Sequence, residues 1–214
     1  MSGSSGDNGR VERRARVKIC GITRPEDAVA AERAGADAIG VIFAASSRRR
    51  VGPVAAGAIV AAVGPMVTTV GVFVDAPLDQ VLGLARRLRL GAVQLHGDEP
   101  AAYAAAVRGE VKVVRALAFE RGLTPESLAG YPADAFLLDA RDPGSGQPFD
   151  WAQARAWRDH PRLILAGGLT PETVGDGVEA LRPYAVDVAS GVESAVGEKD
   201  PDRMRAFVEA ARGA

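Results

Sequence analysis

The chain has 214 residues, of which 47% are hydrophobic and 25% are charged, and its formal net charge is −1 at pH 7. These values are typical of one globular domain and lack the basic bias of a nucleic-acid-binding protein. The single cysteine, Cys20, argues against a disulfide framework, and the two histidines, His96 and His160, argue against a zinc motif. The sequence has no apolar run of about 20 residues, the length that a membrane span requires. We therefore expect no metal site, no nucleic-acid partner and no membrane association.

The first sixteen residues differ in composition from the rest of the chain. Residues 1–16 are polar, charged and rich in glycine and serine, which predicts a disordered N-terminal tail. Their arginines lead into a short apolar run at residues 17–20, too short for the core of a signal peptide. We expect residues 17–214 to form one domain of a cytoplasmic protein.

Eight short apolar runs rich in β-branched residues predict strands. In chain order they are residues 17–20, 38–43, 67–74, 92–95, 111–117, 135–139, 163–166 and 185–189. The segments between them have helical composition and often open with proline, which suits the first turn of a helix. These prolines are Pro25, Pro53, Pro77, Pro100, Pro125, Pro171 and Pro201.

The alternation of predicted strands and helices indicates a parallel sheet covered by helices. Eight strands in roughly 200 residues predict an α/β fold, a closed single-domain (β/α)8 TIM barrel. The alternative is a doubly wound open sheet, which typically carries a G-x-G-x-x-G turn after its first strand. The sequence at that point is Cys20-Gly21-Ile22-Thr23, so the barrel is favoured.

Polar residues and glycine turns follow most of the predicted strands, where parallel barrels carry their chemistry. They are Cys20, residues 46–50, residues 94–98, Arg115, Asp139, Gly167, Gly168, Ser190 and Gly191. Each has a purely structural explanation, for example a small buried thiol or a solvated run of arginines. The glycine turns after strands 7 and 8, however, are suited to bring backbone amides to an anion. Their coincidence with the other groups at one rim favours a phosphate-bearing substrate.

A thiol and a carboxyl group at one barrel mouth can act as a base and an acid. Cys20 follows the first predicted strand and Asp139 ends the sixth. A thiolate is also a nucleophile, but a Cys–His hydrolase needs a partner histidine. His160 precedes strand 7 and is expected on the opposite rim, so only His96 is available.

Several segments resemble the phosphoribosylanthranilate isomerase family of tryptophan biosynthesis, in order from about residue 17 to the C-terminus. They are K-I-C-G-I-T from Lys18, G-V-F-V from Gly71, Q-L-H-G-D-E from Gln94, L-L-D ending at Asp139, A-G-G-L from Ala166 and D-V-A-S-G-V-E from Asp187. The resemblance implies an Amadori rearrangement that needs no metal or cofactor. N-(5′-phosphoribosyl)anthranilate, a phosphorylated aminoaldose, becomes 1-(2-carboxyphenylamino)-1-deoxyribulose 5-phosphate.

The resemblance also implies roles for individual residues. Asp139 matches the general acid that protonates the furanose ring oxygen, and Cys20 matches the general base that removes the C2 proton. Asp139 must then be protonated when it acts. Arg49 matches the arginine that meets the anthranilate carboxylate, while Gln94 and His96 are expected to bind substrate.

The glycine turns and the loop after strand 6 complete the implied site. The backbones of Gly167, Gly168, Ser190 and Gly191 match the phosphate cradle, and the loop at residues 144–151 resembles a mobile lid. Two departures from the family pattern stand out. Arg48, Arg49 and Arg50 form one run, which leaves the register of the carboxylate-binding arginine open by one residue. Ala140 stands where serine or threonine is common.

Three other functions are compatible with such a barrel. A Schiff-base aldolase needs a lysine near the mouth, yet Lys18 is expected deeper in the barrel and neither Lys112 nor Lys199 is expected there. A non-catalytic phosphometabolite-binding barrel would bind its ligand without turnover. Activity on the aminoaldose of histidine biosynthesis is disfavoured by Cys20, since that enzyme usually pairs two aspartates. Whether the protein is a monomer or a homodimer stays open.

Overall fold

The computed structural model describes residues 14–139 and 150–214 and contains a closed barrel of eight parallel strands. Each strand pairs with the next in sequence, and β8 pairs with β1 to close the barrel. The strands are β1 (Arg16–Ile19), β2 (Ala38–Ile42), β3 (Thr68–Phe73), β4 (Ala92–Leu95), β5 (Lys112–Ala118), β6 (Ala135–Asp139), β7 (Leu163–Leu165) and β8 (Ala185–Val188). The predicted α/β barrel is thus confirmed, and the open sheet is wrong.

Helices cover the outside of the barrel. They are α1 (Pro25–Ala34), α2 (Pro53–Ala61), α3 (Leu78–Leu88), α4 (Ala101–Arg108), α5 (Val174–Leu181) and α6 (Pro201–Gly213). Short 3-10 segments occupy Pro125–Leu128, Trp151–Trp157 and Ser190–Val192. After the last of these, a hairpin of β9 (Glu193–Ala195) and β10 (Glu198–Lys199) precedes α6.

The starts of three helices agree with the local sequence, and one expected helix does not form. Pro25, Pro53 and Pro201 lie in the first turns of their helices, where the missing amide hydrogen has no intrahelical partner. The segment that opens at Pro125 forms a single 3-10 turn instead of the expected α-helix. Gly130 and Pro132 follow immediately and oppose helix continuation.

The two faces of the strands carry different chemistry. The outer faces pack against the helices in the main hydrophobic core, whose largest fully buried side chains include Trp157, Phe73 and Phe207. A smaller apolar cluster comes from β5 to β8 and the residue after β7: Ala116, Ala135, Leu137, Ile164, Ala166 and Ala185. These residues fill part of the barrel interior, as expected for a packed barrel and not a pore.

The structure describes only the end of the predicted N-terminal tail. β1 begins at Arg16, one residue inside the predicted tail, while residues 1–13 lie outside the described part of the chain, so the tail stays a prediction. Within residues 14–139 and 150–214, none of the helices has both the length and the apolar character that a membrane span requires.

Candidate active site

The thiol of Cys20 lies at the carboxyl end of β1, in a space that a glycine keeps open. Its backbone N–H donates to the carbonyl of Val188, which extends the β1–β8 pairing by one residue (2.8 Å). A Cβ atom at Gly40 of β2 would lie 2.7 Å from Sγ of Cys20 and 3.2 Å from Cε of Lys18. A side chain at position 40 would therefore displace the thiol and the lysine beside it.

A buried polar cluster lies inside the barrel next to Cys20. Nζ of Lys18 donates to Oδ1 of Asp187 at 2.8 Å and to Oε1 of Gln94 at 3.1 Å. The three residues belong to β1, β4 and β8, and each is at most 9% exposed. Burial alone would lower the pKa of Lys18, but Asp187 overrides this effect and raises it. Lys18 is therefore a buried cation held by a carboxylate.

Burial and a neighbouring cation have opposite effects on the pKa of Cys20. Burial raises the pKa of the Cys20 thiol above its ordinary value, and the ammonium of Lys18 acts against that rise. The thiol is therefore protonated at neutral pH. Because Lys18 lies beside it, a cation is in place to stabilise the thiolate once it forms. A thiol that only filled apolar space would not have this neighbour.

Asp139 ends β6 and lies near an imidazole. Its Oδ2 is 3.7 Å from Nε2 of His96, whose Nδ1 is 3.4 Å from Nε2 of Gln94. Burial lowers the pKa of His96, and the nearby Lys18 and Arg115 lower it further, so the ring is neutral at pH 7. If Gln94 donates to Nδ1, the ring proton is on Nε2, on the side of Asp139. Gln94 thus connects the Lys18 cluster to the surroundings of Asp139.

The structure distinguishes the three consecutive arginines after β2. Arg48 and Arg50 are exposed, whereas Arg49 is buried. The guanidinium of Arg49 donates from Nε and Nη2 to the two carboxylate oxygens of Glu193, both at 2.7 Å. Gly21 has a φ of +71°, and a Cβ there would lie 2.5 Å from Cδ of Arg49. The side chain of Arg49 therefore packs against the backbone of Gly21, the residue after Cys20.

Lys199 does not lie where the sequence predicted. Its Nζ donates to the carbonyl of Ala189, just beyond β8, and to Oε1 of Glu193 (2.9 and 2.8 Å), which places the amine at the barrel mouth. The expectation that Lys199 lies away from the mouth is wrong. The β9–β10 hairpin folds back and pairs Lys199 with Glu193, a register that strand periodicity does not reveal. Glu193 was not predicted as a site residue.

The glycine turns after β7 and β8 bring together two backbone segments without side chains. Gly167 and Gly168 have φ values of +85° and +67°, which favour glycine. A Cβ at Gly191 would lie 2.0 Å from the carbonyl oxygen of Leu169, so the second turn packs directly on the first. Ser190 begins the short 3-10 segment that contains Gly191. Only glycine permits this approach, so the backbones of the two turns are in direct contact.

Other predicted features lie away from the mouth or outside the described residues. His160 packs edge-on against Trp157 and Phe136 at the amino end of β7, on the opposite rim as expected. Ala140 and residues 144–149 of the predicted lid lie outside the described part of the chain. Gln94 is 2% exposed, and both ends of its amide contact neighbouring side chains; its contact with the substrate stays a prediction.

The fold and the mouth define a class of protein. A closed (β/α)8 barrel with a thiol, a carboxyl group and two glycine turns at the carboxyl ends of its strands is a TIM-barrel enzyme. The family model described as N-(5'phosphoribosyl)anthranilate (PRA) isomerase matches residues 17–210, and the chain belongs to this family.

Individual relatives agree with the family model. The N-(5'-phosphoribosyl)anthranilate isomerase of Geobacter metallireducens is 46% identical over 201 residues, covering 92% of this chain and 98% of the relative. The crystal structure from Thermus thermophilus is 49% identical, with a TM-score of 0.85 over 91% of this chain and 97% of that one. A phosphoribosyl anthranilate isomerase solved with reduced 1-(o-carboxyphenylamino)-1-deoxyribulose 5-phosphate is 39% identical, with a TM-score of 0.85 over 94% and 100%.

Proposed function

We propose that this chain catalyses the rearrangement of N-(5′-phosphoribosyl)anthranilate to 1-(2-carboxyphenylamino)-1-deoxyribulose 5-phosphate in tryptophan biosynthesis, by acid–base catalysis without metal or cofactor. The observation that carries the proposal is the arrangement of two proton-transfer groups at one mouth. Cys20 lies beside the ammonium of Lys18, and Asp139 lies 3.7 Å from the neutral imidazole of His96. Family membership supplies the substrate.

Asp139 acts first, as the general acid. Transfer of its proton to the furanose ring oxygen breaks the bond between that oxygen and C1, while the nitrogen lone pair forms a C=N⁺ bond to C1. The product is an open-chain iminium, and Asp139 becomes a carboxylate. Among the described residues, Nε2 of His96 has no hydrogen-bond partner although it is buried. An N–H at this atom can stabilise the new carboxylate or bind a sugar oxygen.

Cys20 acts second, as the general base. The iminium makes the C2 proton more acidic, so the thiolate can remove it and leave an enolamine. The enolamine becomes the ketone when its hydroxyl loses a proton and C1 gains one. Because the free thiol is protonated, Cys20 first loses its proton to solvent, and it becomes a thiol again when it takes the proton from C2. Asp139 ends as a carboxylate, and solvent returns one proton to it. Lys18 stabilises the thiolate between these steps.

The remaining predicted residues bind and orient the substrate. Arg49 offers its guanidinium to the anthranilate carboxylate, and its burial between two exposed arginines supports this register. The turns at Gly167 and Gly168 and at Ser190 and Gly191 hold the phosphate through their amides. Gln94 contacts Lys18 and His96, and we keep it as a substrate-binding residue beside His96.

A Schiff-base mechanism has less support. Lys199 lies at the mouth and Lys18 lies inside the barrel, and each amine is buried in an ion pair, with Glu193 and Asp187 respectively. Neither is a free amine that could attack a carbonyl. The cytoplasmic location and the choice between monomer and homodimer stay predictions.

The direct test is the fluorescence of phosphoribosylanthranilate, generated enzymatically and then mixed with this protein. We expect the fluorescence to decay at a rate proportional to protein concentration, with one equivalent of the aminoketose formed. A protein that binds the substrate without accelerating this decay would instead be a phosphometabolite-binding barrel.

A further inference from the structure

The guanidinium of Arg49 is held by a carboxylate of the same chain. Its Nε and Nη2 donate to Glu193, and the two side chains are 10% and 6% exposed. Among the described residues, the hydrogen bonds of this guanidinium use only these two nitrogens. Nη1 therefore keeps both of its N–H groups for a ligand. The fixed fork of an arginine allows one edge to be held while another binds a carboxylate.

A second cation prevents Glu193 from cancelling the charge of Arg49. Nζ of Lys199, whose side chain is 0% exposed, donates to Oε1 of Glu193 at 2.8 Å. Burial by itself would raise the pKa of Glu193, but hydrogen bonds from Arg49 and Lys199 keep it below its ordinary value. Glu193 is therefore ionised. Burial lowers the pKa of Lys199 and the hydrogen bond to Glu193 opposes this, so with both cations charged the three side chains carry a net charge of +1. A neutral pair of Arg49 and Glu193 alone would attract an incoming carboxylate much less.

The backbone around Glu193 is tied to the first barrel loop. The N–H of Gly197 donates to Oε1 of Glu193 at 3.4 Å, and Oγ1 of Thr23 donates to the carbonyl of Gly197 at 2.5 Å. The N–H of Lys199 donates to the buried carboxylate of Asp27 at 3.3 Å. The hairpin that carries Glu193 is thus fixed to the segment that follows Cys20, so Glu193 can define the position of Arg49 relative to the thiol.

We propose that Glu193 is a positioning residue that holds Arg49 ready for the aryl carboxylate of the substrate, and that Lys199 preserves the positive charge needed for that contact. This inference rests on the proposed function, in which Arg49 meets that carboxylate. An arginine held in one rotamer loses less conformational entropy when the ligand binds. The β9–β10 hairpin thereby contributes to the selection of a carboxylated aromatic amine over an uncarboxylated one.

Two probes separate positioning from simple charge attraction. One is reduced 1-(o-carboxyphenylamino)-1-deoxyribulose 5-phosphate, and the other is the same compound without its carboxyl group. Glu193→Gln raises the net charge of the cluster, so charge attraction alone would tighten binding of the carboxylated probe. Positioning instead weakens it, and we expect its Kd to rise about tenfold while the Kd of the uncarboxylated probe is unchanged.

Two further variants of the hairpin complete the comparison. Glu193→Asp keeps the charge but is too short for both contacts, and we expect the same selective loss, which covers the case in which Glu193→Gln does not fold. Glu198→Gln is the matched control, because this exposed carboxylate of the same hairpin is paired with Arg24. It should bind both probes as the wild type does.

The outcomes are distinct. Unchanged or tighter binding of the carboxylated probe by the Glu193 variants overturns the positioning role. Equal loss of both probes overturns it too, since that indicates general damage to the mouth. If Arg49→Ala binds the carboxylated probe as well as the wild type does, the role of Arg49 in the proposed function fails and this inference fails with it. If Arg49→Ala loses discrimination and the Glu193 variants keep it, only this inference fails.

Discussion

Nε2 of His96 lies 3.7 Å from Oδ2 of Asp139, while Nδ1 of the same ring lies 3.4 Å from Nε2 of Gln94. The separation of 3.7 Å is too long for a hydrogen bond, and because the ring is neutral at pH 7 the two side chains lie side by side without forming an ion pair. Through Gln94 and Lys18, this imidazole is connected to the side of the barrel that carries Cys20. The surroundings of the acid and the base therefore share one buried set of side chains.

The buried His96 makes stability depend on pH. Its pKa is lowered in the folded protein from an ordinary value of 6.5, chiefly by burial. The unfolded chain therefore binds a proton more readily, so this contribution to stability is complete above pH 6.5 and is lost as pH falls. We expect the free energy of unfolding to decrease below that pH, by at most ~1.4 kcal/mol per pH unit from this group. Urea unfolding at a series of pH values gives this free energy for the wild type and for His96→Gln. We expect it to fall less steeply with decreasing pH in the variant, and an equal pH dependence in both proteins would contradict the prediction.

The ionisation of Cys20 can be followed directly, since it is the chain's one cysteine. Burial raises the pKa of its thiol above the ordinary value of 9.0, Lys18 opposes the rise and Asp187 adds to it. We expect the ¹³Cβ resonance of labelled Cys20 to titrate with a midpoint above pH 9.0. Lys18→Gln should move the midpoint up and Asp187→Asn should move it down. Shifts of the same sign in both variants would show that the thiol does not sense this ion pair.

The arginine run after β2 allows a test with its own controls. Arg49→Ala should raise KM for phosphoribosylanthranilate, and Arg49→Lys should restore part of the binding, because it keeps the charge without the planar fork. Arg48→Ala and Arg50→Ala should have much smaller effects, since both side chains are exposed. Steady-state kinetics of the four variants decides. A larger defect at Arg48 or Arg50 would mean that the register is wrong.

The phosphate cradle depends on bare backbone. Gly168 has a φ of +67°, so valine at this position would strain the backbone. In Gly191→Ala, the new Cβ would clash with the carbonyl oxygen of Leu169. Since the phosphate is bound in both the ground and transition states, we expect KM to rise several-fold with kcat changed little. Gly83→Ala, in open space on α3, is the control. Normal affinity of either cradle variant for the reduced product analogue would show that the phosphate binds elsewhere.

The alternation of apolar and helical segments was sufficient to predict the barrel, because parallel strands need crossovers and eight of them close the sheet. The same periodicity placed Cys20 and Asp139 at strand ends. It did not reveal Glu193 or Lys199 as groups at the mouth, because the hairpin that joins them depends on pairing register. Nor did it show that Gln94 accepts a hydrogen bond from Lys18, since that contact joins strands that are 76 residues apart in sequence.

The central claim is that Cys20 and Asp139 transfer protons in the reaction, and the kcat of Cys20→Ser and Asp139→Asn tests it most directly. Serine keeps the size of cysteine but does not form the anion at neutral pH, and asparagine keeps the shape of aspartate but does not donate the proton. We expect each variant to lose kcat by about 10²–10⁴-fold with little change in KM. Near-wild-type kcat in Cys20→Ser would show that the thiol only packs and would contradict the mechanism.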